Sequence, residues 1–61
     1  MITYYVESWR EWFVVRTQNK RTARSVGVRE FGRGLVKAVR RATKAEIDYY
    51  IALKGPRAIY D

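Results

Sequence analysis

The chain contains no cysteine and no histidine, and only one of its 61 residues is proline. Without Cys and His it has neither a disulfide framework nor a zinc site built from those side chains. No apolar run approaches the roughly 18–20 residues that a membrane-spanning helix needs. The N-terminus also lacks the basic and apolar regions of a signal peptide, so we expect a cytoplasmic protein without a membrane partner.

The residues that remain give little support for catalysis. Ser8 and Ser25 have no candidate base near them in the sequence, and a serine nucleophile needs one. Gly27, Gly32 and Gly34 do not follow the strand-loop-helix order of a phosphate-binding fingerprint. We therefore expect a protein that is not an enzyme and that uses no cofactor, no metal and no small-molecule substrate.

The positive charge is concentrated in one segment. Residues 16–44 carry ten of the thirteen basic residues and a single acid, Glu30, whereas the rest of the chain carries three bases and five acids. A folded domain that gathers like charges repels itself unless an anion binds there. Because the segment also contains regularly spaced apolar residues, we interpret it as folded, and its charge favours a nucleic-acid backbone as the partner.

Alternation of apolar and polar residues predicts strands over about 2–7 and 12–17, joined by a hairpin at 8–11 that contains no Asn-Gly or Asp-Gly. On the second strand we assign Phe13 and Val15 to the core. The opposite face presents Trp12, Val14 and Arg16, and we leave it outside the core because it carries a charge.

Asn19 is a good N-cap for a helix over about 20–27, and Gly27 is a natural residue to end it. After a loop at 32–34, a third strand is predicted over about 35–41, with Val39 in the core.

The clearest local signal is the capping box formed by Thr43 and Glu46, which begins a helix over about 44–54, and residues 56–61 form a tail. The order β-β-α-β-α predicts one α+β domain over residues 1–61, with a three-stranded antiparallel sheet and two short helices. The sequence leaves open whether the protein is a monomer or a homodimer.

We expect the basic side chains of the helix, the loop and the third strand to contact phosphates, because Arg and Lys are the residues that bind them. The sequence leaves open whether they converge on one surface. Three further residues are candidates for contact with bases or sugars, although for Trp12 we slightly favour a role as cover for the edge of a thin core. The candidate binding residues are Arg16, Lys20, Arg21, Arg24, Arg33, Lys37, Arg40, Arg41, Trp12 and Asn19, with Gln18 beside them.

Short segments of the chain resemble the hybrid-binding N-domain of eukaryotic-type ribonuclease H and the related N-domain of the ninth large-subunit ribosomal protein. Tyr4-Tyr5-Val6 looks like the opening strand and Phe13-Val14-Val15-Arg16-Thr17 is similar to the second. Val39-Arg40-Arg41-Ala42-Thr43 looks like the third strand with its paired basic residues, and Glu46 follows as in the last helix. The resemblance implies binding of RNA-containing duplexes or folded RNA.

The function we expect is binding of the phosphate backbone of a duplex or structured nucleic acid, largely independent of sequence. The sequence leaves open whether the target is DNA, RNA or hybrid. The alternative is a small interaction protein, of the kind that viruses or mobile elements encode, that docks on an acidic protein surface, because the same charge would steer that association. A ribosome-associated structural protein is a third reading.

Overall fold

The computed structural model describes residues 1–55, which form an α+β fold in the expected order β-β-α-β-α. Each strand lies within one residue of its predicted bounds, and the predicted tail at 56–61 lies outside the described residues. Neither helix in the described part is long and apolar enough to cross a membrane. The elements are β1 (Ile2–Ser8), β2 (Trp12–Thr17), α1 (Lys20–Phe31), β3 (Val36–Arg41) and α2 (Lys44–Lys54).

The three strands form an antiparallel sheet in the order β2-β1-β3, so β1 is central. Val6 pairs with Phe13 on one side and with Val39 on the other. Because residues directly opposite each other in an antiparallel pair point to the same face, these three side chains share one face. The register of β3 shifts beside Glu7 and Ser8, where Lys37 is the extra residue.

The main core lies between this face and α1. Val6 and Val15 are almost fully buried there, together with Tyr4, Ala23 and Val39, and Phe13 packs against them half-buried. The predicted core positions Phe13, Val15 and Val39 are therefore confirmed.

The predicted end of the first helix at Gly27 is wrong, because α1 continues to Phe31 and ends at Gly32, whose φ is 110°. Gly27 is buried in the middle of the helix, where its missing side chain lets the helix approach Val6. Phe31 lies two turns beyond Ala23 on the same side, and its ring centroid is 5.2 Å from that of Phe13. The glycine marks a close approach between helix and sheet, not a helix end.

The second face of the sheet is also covered, contrary to the prediction that left it outside the core. Val14 is fully buried on this face, and Trp12 packs against α2 with ring centroids 6.1 Å from Tyr49 and 5.4 Å from Tyr50. The helices therefore lie on opposite faces of the sheet. Only Arg16, at the far end of β2, is exposed on this face of the strand.

The β1–β2 turn is built without glycine and without any positive φ. The turn is held instead by Ser8. Its Oγ accepts hydrogen bonds from the backbone N–H of Arg10 (3.2 Å) and Glu11 (3.1 Å) and donates one to the Glu11 carbonyl (3.0 Å). Since Ser8 is itself buried, the turn that follows it is firmly held.

Both predicted helix starts are confirmed. Asn19 accepts a hydrogen bond from the Thr22 N–H at 2.9 Å. Thr43 and Glu46 form the reciprocal capping box, with the Glu46 N–H donating to Thr43 Oγ1 at 3.1 Å and the Thr43 N–H donating to Glu46 Oε1 at 2.8 Å. These caps satisfy backbone donors that a helix leaves open at its N-terminus.

Candidate nucleic-acid interface

The strand register gives the molecule two distinct ends. Ile2 pairs with Thr17 and Tyr4 pairs with Arg41, so β2 and β3 both finish where β1 begins. Helix α1 starts three residues after Thr17 and therefore begins at this end too. We call this the basic end, after the cations it carries: Arg16, Lys20, Arg21, Arg24 and Arg41.

All five cations of the basic end are exposed. Across residues 1–55, no carboxylate lies within ion-pair distance of the Lys20, Arg21, Arg24 or Arg41 side chains. Like charges gathered without acidic neighbours raise the local positive potential and attract anions. The basic end is therefore a concentrated cationic surface.

Helix α1 adds to this positive potential. Its first turn contains Lys20 and Arg21 and no acidic residue. Cations beside the positive end of a helix dipole are unfavourable by about 0.3–1 kcal/mol each, whereas an anion there is stabilised. Helix α2 has the usual arrangement, with Glu46 in its first turn and Lys54 in its last. The N-terminus of α1 is therefore open to an external anion, whereas that of α2 already has the carboxylate of Glu46 beside it.

The alternation of side chains along β3 separates Arg40 from Arg41. Successive residues of a strand point to opposite faces, so Arg41 lies on the α1 face and Arg40 on the α2 face. The Arg40 guanidinium donates two hydrogen bonds to Glu46, at 2.9 and 2.6 Å, and its centre lies 4.2 Å from the centroid of the Tyr5 ring. Arg40 therefore links the sheet to α2.

Glu46 is the partner that holds Arg40. The hydrogen bonds from Arg40, followed by the backbone hydrogen bond from Thr43, lower the pKa of Glu46 from 4.5 to about 2. The same pair raises the pKa of Arg40. Because Arg40 is engaged in this bidentate ion pair, we do not count it among the side chains available to a phosphate.

Arg33 and Lys37 lie toward the opposite end of the sheet, which we call the hairpin end because it carries the turn between β1 and β2. Lys37 forms an ion pair with Glu7 at 3.6 Å, and its Nζ lies 4.9 Å from the centroid of the Trp9 ring. Lys37 lies four positions before Arg41 in β3, about 13 Å away at 3.3 Å per residue. This exceeds the Debye length of about 8 Å at physiological salt, so the two cations act independently. The basic residues of α1, the loop and β3 therefore do not all converge on one surface.

The acidic residues complete the contrast between the ends. Glu7, Glu11 and Glu30 lie at the hairpin end, the last two beside Trp9 and Phe31. The remaining acids of residues 1–55 are both neutralised, Glu46 by Arg40 and Asp48 by Lys44 at 3.0 Å. The charge of the molecule is therefore polarised along the sheet.

Two of the three candidates for base or sugar contact, Trp12 and Asn19, have structural roles. Trp12 is half-buried, and its ring also lies 5.3 Å from the centroid of the Tyr5 ring, in addition to the contacts with α2. Asn19 caps α1, and its Oδ1 also accepts a hydrogen bond from the Thr22 hydroxyl at 3.0 Å. The interpretation of Trp12 as part of the core therefore matches its packing. The third candidate, Gln18, is exposed.

The exposed tryptophan is Trp9, at the tip of the β1–β2 turn and 72% exposed. The sequence placed it in the hairpin but did not single it out for binding. A signal was present in Ser8-Trp9-Arg10-Glu11, because a serine hydroxyl can hold a tight turn and residues at the tip of a connecting turn lie on the surface.

Within residues 1–55 there is no group of three or more acidic, Cys or His side chains that could hold a metal ion. Comparison of the chain with protein-family models, curated protein sequences and solved structures finds no match.

Proposed function

We propose that this protein binds the phosphate backbone of nucleic acid through its basic end. The observation that carries the proposal is the group of exposed cations at this end, four of which have no carboxylate partner in residues 1–55. Phosphate contacts position a protein on nucleic acid without reading its sequence, so binding is largely independent of sequence. The target is a duplex or a structured nucleic acid, met in the cytoplasm.

The number of contacts sets the expected salt dependence. If Lys20, Arg21, Arg24 and Arg41 each neutralise one phosphate, log K falls with log salt with a slope of about −3.6 on duplex DNA. Affinity then drops about 150-fold between about 50 and 200 mM salt. Protein docking through apolar contacts would show a much shallower dependence.

The proposal agrees with the resemblance to the ribosomal and ribonuclease H N-domains, which bind RNA-containing duplexes or folded RNA. It departs from that resemblance at the third strand. There the paired basic residues differ, since Arg41 lies on the α1 face at the basic end whereas Arg40 pairs with Glu46 of α2.

The test compares two double charge reversals that differ only in place. Arg21→Glu with Arg41→Glu removes charge from the basic end, whereas Arg10→Glu with Arg33→Glu removes it from the hairpin end. Both lower the formal net charge from +7 to +3. All four side chains are exposed, and none has an ion-pair partner in the described part of the chain, so both variants should fold, as circular dichroism would show.

Affinity is measured by fluorescence anisotropy with duplex DNA, duplex RNA and hybrid at several salt concentrations. We expect the basic-end variant to lose most of its affinity and its salt slope to fall by about 1.8, since two phosphate contacts are lost. The hairpin-end variant should keep the slope of the wild type. Equal loss in both variants would show that net charge, and not the basic end, governs binding. A wild-type protein that binds none of the three duplexes but captures an acidic protein would instead support the alternative function.

A further inference from the structure

The hairpin end contains a second feature that phosphate binding does not use. A cleft of about 410 Å³ opens beside the β1–β2 turn, with Trp9, Leu35 and Phe31 among its lining residues. This is within the size range of small-ligand sites, about 300–1,000 Å³. Its apolar side chains include two that are well exposed, Trp9 at 72% and Leu35 at 49%.

The Trp9 ring is presented for contact. Among residues 1–55 no aromatic ring packs on it, and the Lys37 ammonium lies 4.9 Å from the ring centroid. Ser8 holds the turn through three hydrogen bonds, so the ring projects from a firm support. An exposed aromatic ring on a firm support loses little conformational entropy when a planar group stacks on it.

Two carboxylates, Glu11 and Glu30, also line the cleft, together with one cation, Arg10, so acidic groups outnumber basic ones in its lining. Neither carboxylate is ion-paired within residues 1–55. A carboxylate repels phosphate but accepts hydrogen bonds from the amino groups of bases. The cleft therefore suits the base of a nucleotide and not its phosphate.

We propose that this cleft binds one unpaired base that carries an exocyclic amino group, with Trp9 stacking on the base and Glu11 or Glu30 accepting its amino hydrogens. Guanine fits best, because its ring N–H and its amino group point in the same direction, as a carboxylate requires. Thymine and uracil lack an amino group and satisfy the carboxylates less well. The site depends on the proposed function, since the basic end supplies the phosphate contacts.

The spacing of the two ends sets the strand length that can reach both. From Tyr4 to Ser8, the central strand measures about 13 Å at 3.3 Å per residue. At about 3.4 Å per nucleotide of a stacked strand, a single-stranded segment of at least about four nucleotides joins them. Bound at both ends, such a strand gains affinity because the second contact is intramolecular.

The experiment uses single-stranded oligonucleotides of about 12 nucleotides, within the range of known single-strand sites. One contains thymidine only, and two others contain a single central guanosine or a single central inosine, which lacks the amino group. We expect the wild type to bind the guanosine oligonucleotide more tightly than the other two. Trp9→Ala should weaken that binding by about tenfold, within the range for one stacked base, while Trp9→Phe retains most of it.

Glu11→Gln with Glu30→Gln tests the acceptors. This variant should bind the guanosine and inosine oligonucleotides with equal affinity. Its affinity for every oligonucleotide should nevertheless rise, because two negative charges are removed. Binding of duplex DNA should be unchanged in Trp9→Ala, because a duplex offers no unpaired base.

The outcomes separate this site from the proposed function. If the wild type binds duplexes through the basic end while Trp9→Ala binds the guanosine oligonucleotide as tightly as the wild type, the cleft is not a base site and the function stands. Equal affinity of the wild type for the guanosine and inosine oligonucleotides would likewise overturn the role of the carboxylates. Binding to neither duplexes nor single strands would overturn the proposed function itself.

Discussion

Replacing Gly27 with alanine should destabilise the protein, although alanine is the better helix former. A Cβ at this position would lie 2.7 Å from Val6 Cγ1 and 3.1 Å from Val36 Cγ2. Val6 is fully buried in the central strand, and a β-branched side chain has little freedom to rotate away. The added methyl group must therefore push α1 away from the sheet.

The magnitude follows from two opposing effects. In an exposed helix interior, glycine to alanine stabilises by about 1 kcal/mol. Adding a methyl group to a well-packed core costs about 1–3 kcal/mol. Since the shorter distance is to a fully buried side chain, we expect the cost to exceed the gain, with a net loss of about 1 kcal/mol. In a domain of this size, that loss lowers Tm by about 4–8 °C.

Thermal and urea unfolding, followed by circular dichroism, measure the change. The decisive comparison is the Val6→Ala background, where the atom at 2.7 Å is gone. There the same Gly27→Ala substitution should be neutral or stabilising, so its effect on the free energy of unfolding should be more favourable than in the wild-type background. Ser25→Ala, on the exposed side of α1, is the matched control and should not destabilise. If Gly27→Ala raises Tm in the wild-type background, the close approach of α1 to β1 is refuted.

Further predictions concern the helix cap and the turn. Glu46→Gln keeps an oxygen for the Thr43 N–H but loses the charge that pairs with Arg40, and should cost about 1 kcal/mol, a modest value because the pair is exposed to solvent. Because the folded pKa of Glu46 is lowered to about 2 from 4.5, its contribution is complete above about pH 5 and is lost as the pH falls toward 2. Urea unfolding at several pH values should therefore show wild type and variant converging in acid; a constant difference down to pH 2 would contradict the ion pair. Ser8→Ala removes three hydrogen bonds of the β1–β2 turn and should cost about 1–2 kcal/mol in the same assay, whereas an unchanged midpoint would mean that the backbone alone holds the turn.

The elements that the sequence predicted well depend on local interactions. Thr43 and Glu46 are three residues apart and form the capping box whatever surrounds them. The alternation of β2 likewise predicted that the side carrying Phe13 and Val15 lies in the core. Such patterns are set by the period of a strand or helix, so neighbouring residues suffice to recognise them.

The features that sequence reasoning missed depend on contacts between distant segments. Gly27 has the same local signature whether it ends a helix or lies where a helix crosses a strand, and only the nearness of Val6 distinguishes the two. Val14 was left outside the core because Arg16 shares its face, yet α2, thirty residues later in the chain, covers the near part of that face.

The sequence by itself determined that positive charge is gathered in residues 16–44, that the chain lacks Cys and His, and that its elements run β-β-α-β-α. Only the tertiary structure decided how that charge is divided. The strand register placed Arg41 at the basic end and turned Arg40 toward Glu46, while the sheet kept Arg33 and Lys37 at the other end. The physical reason is that charge is a property of each residue, whereas a binding surface depends on the directions in which strands and helices present their side chains.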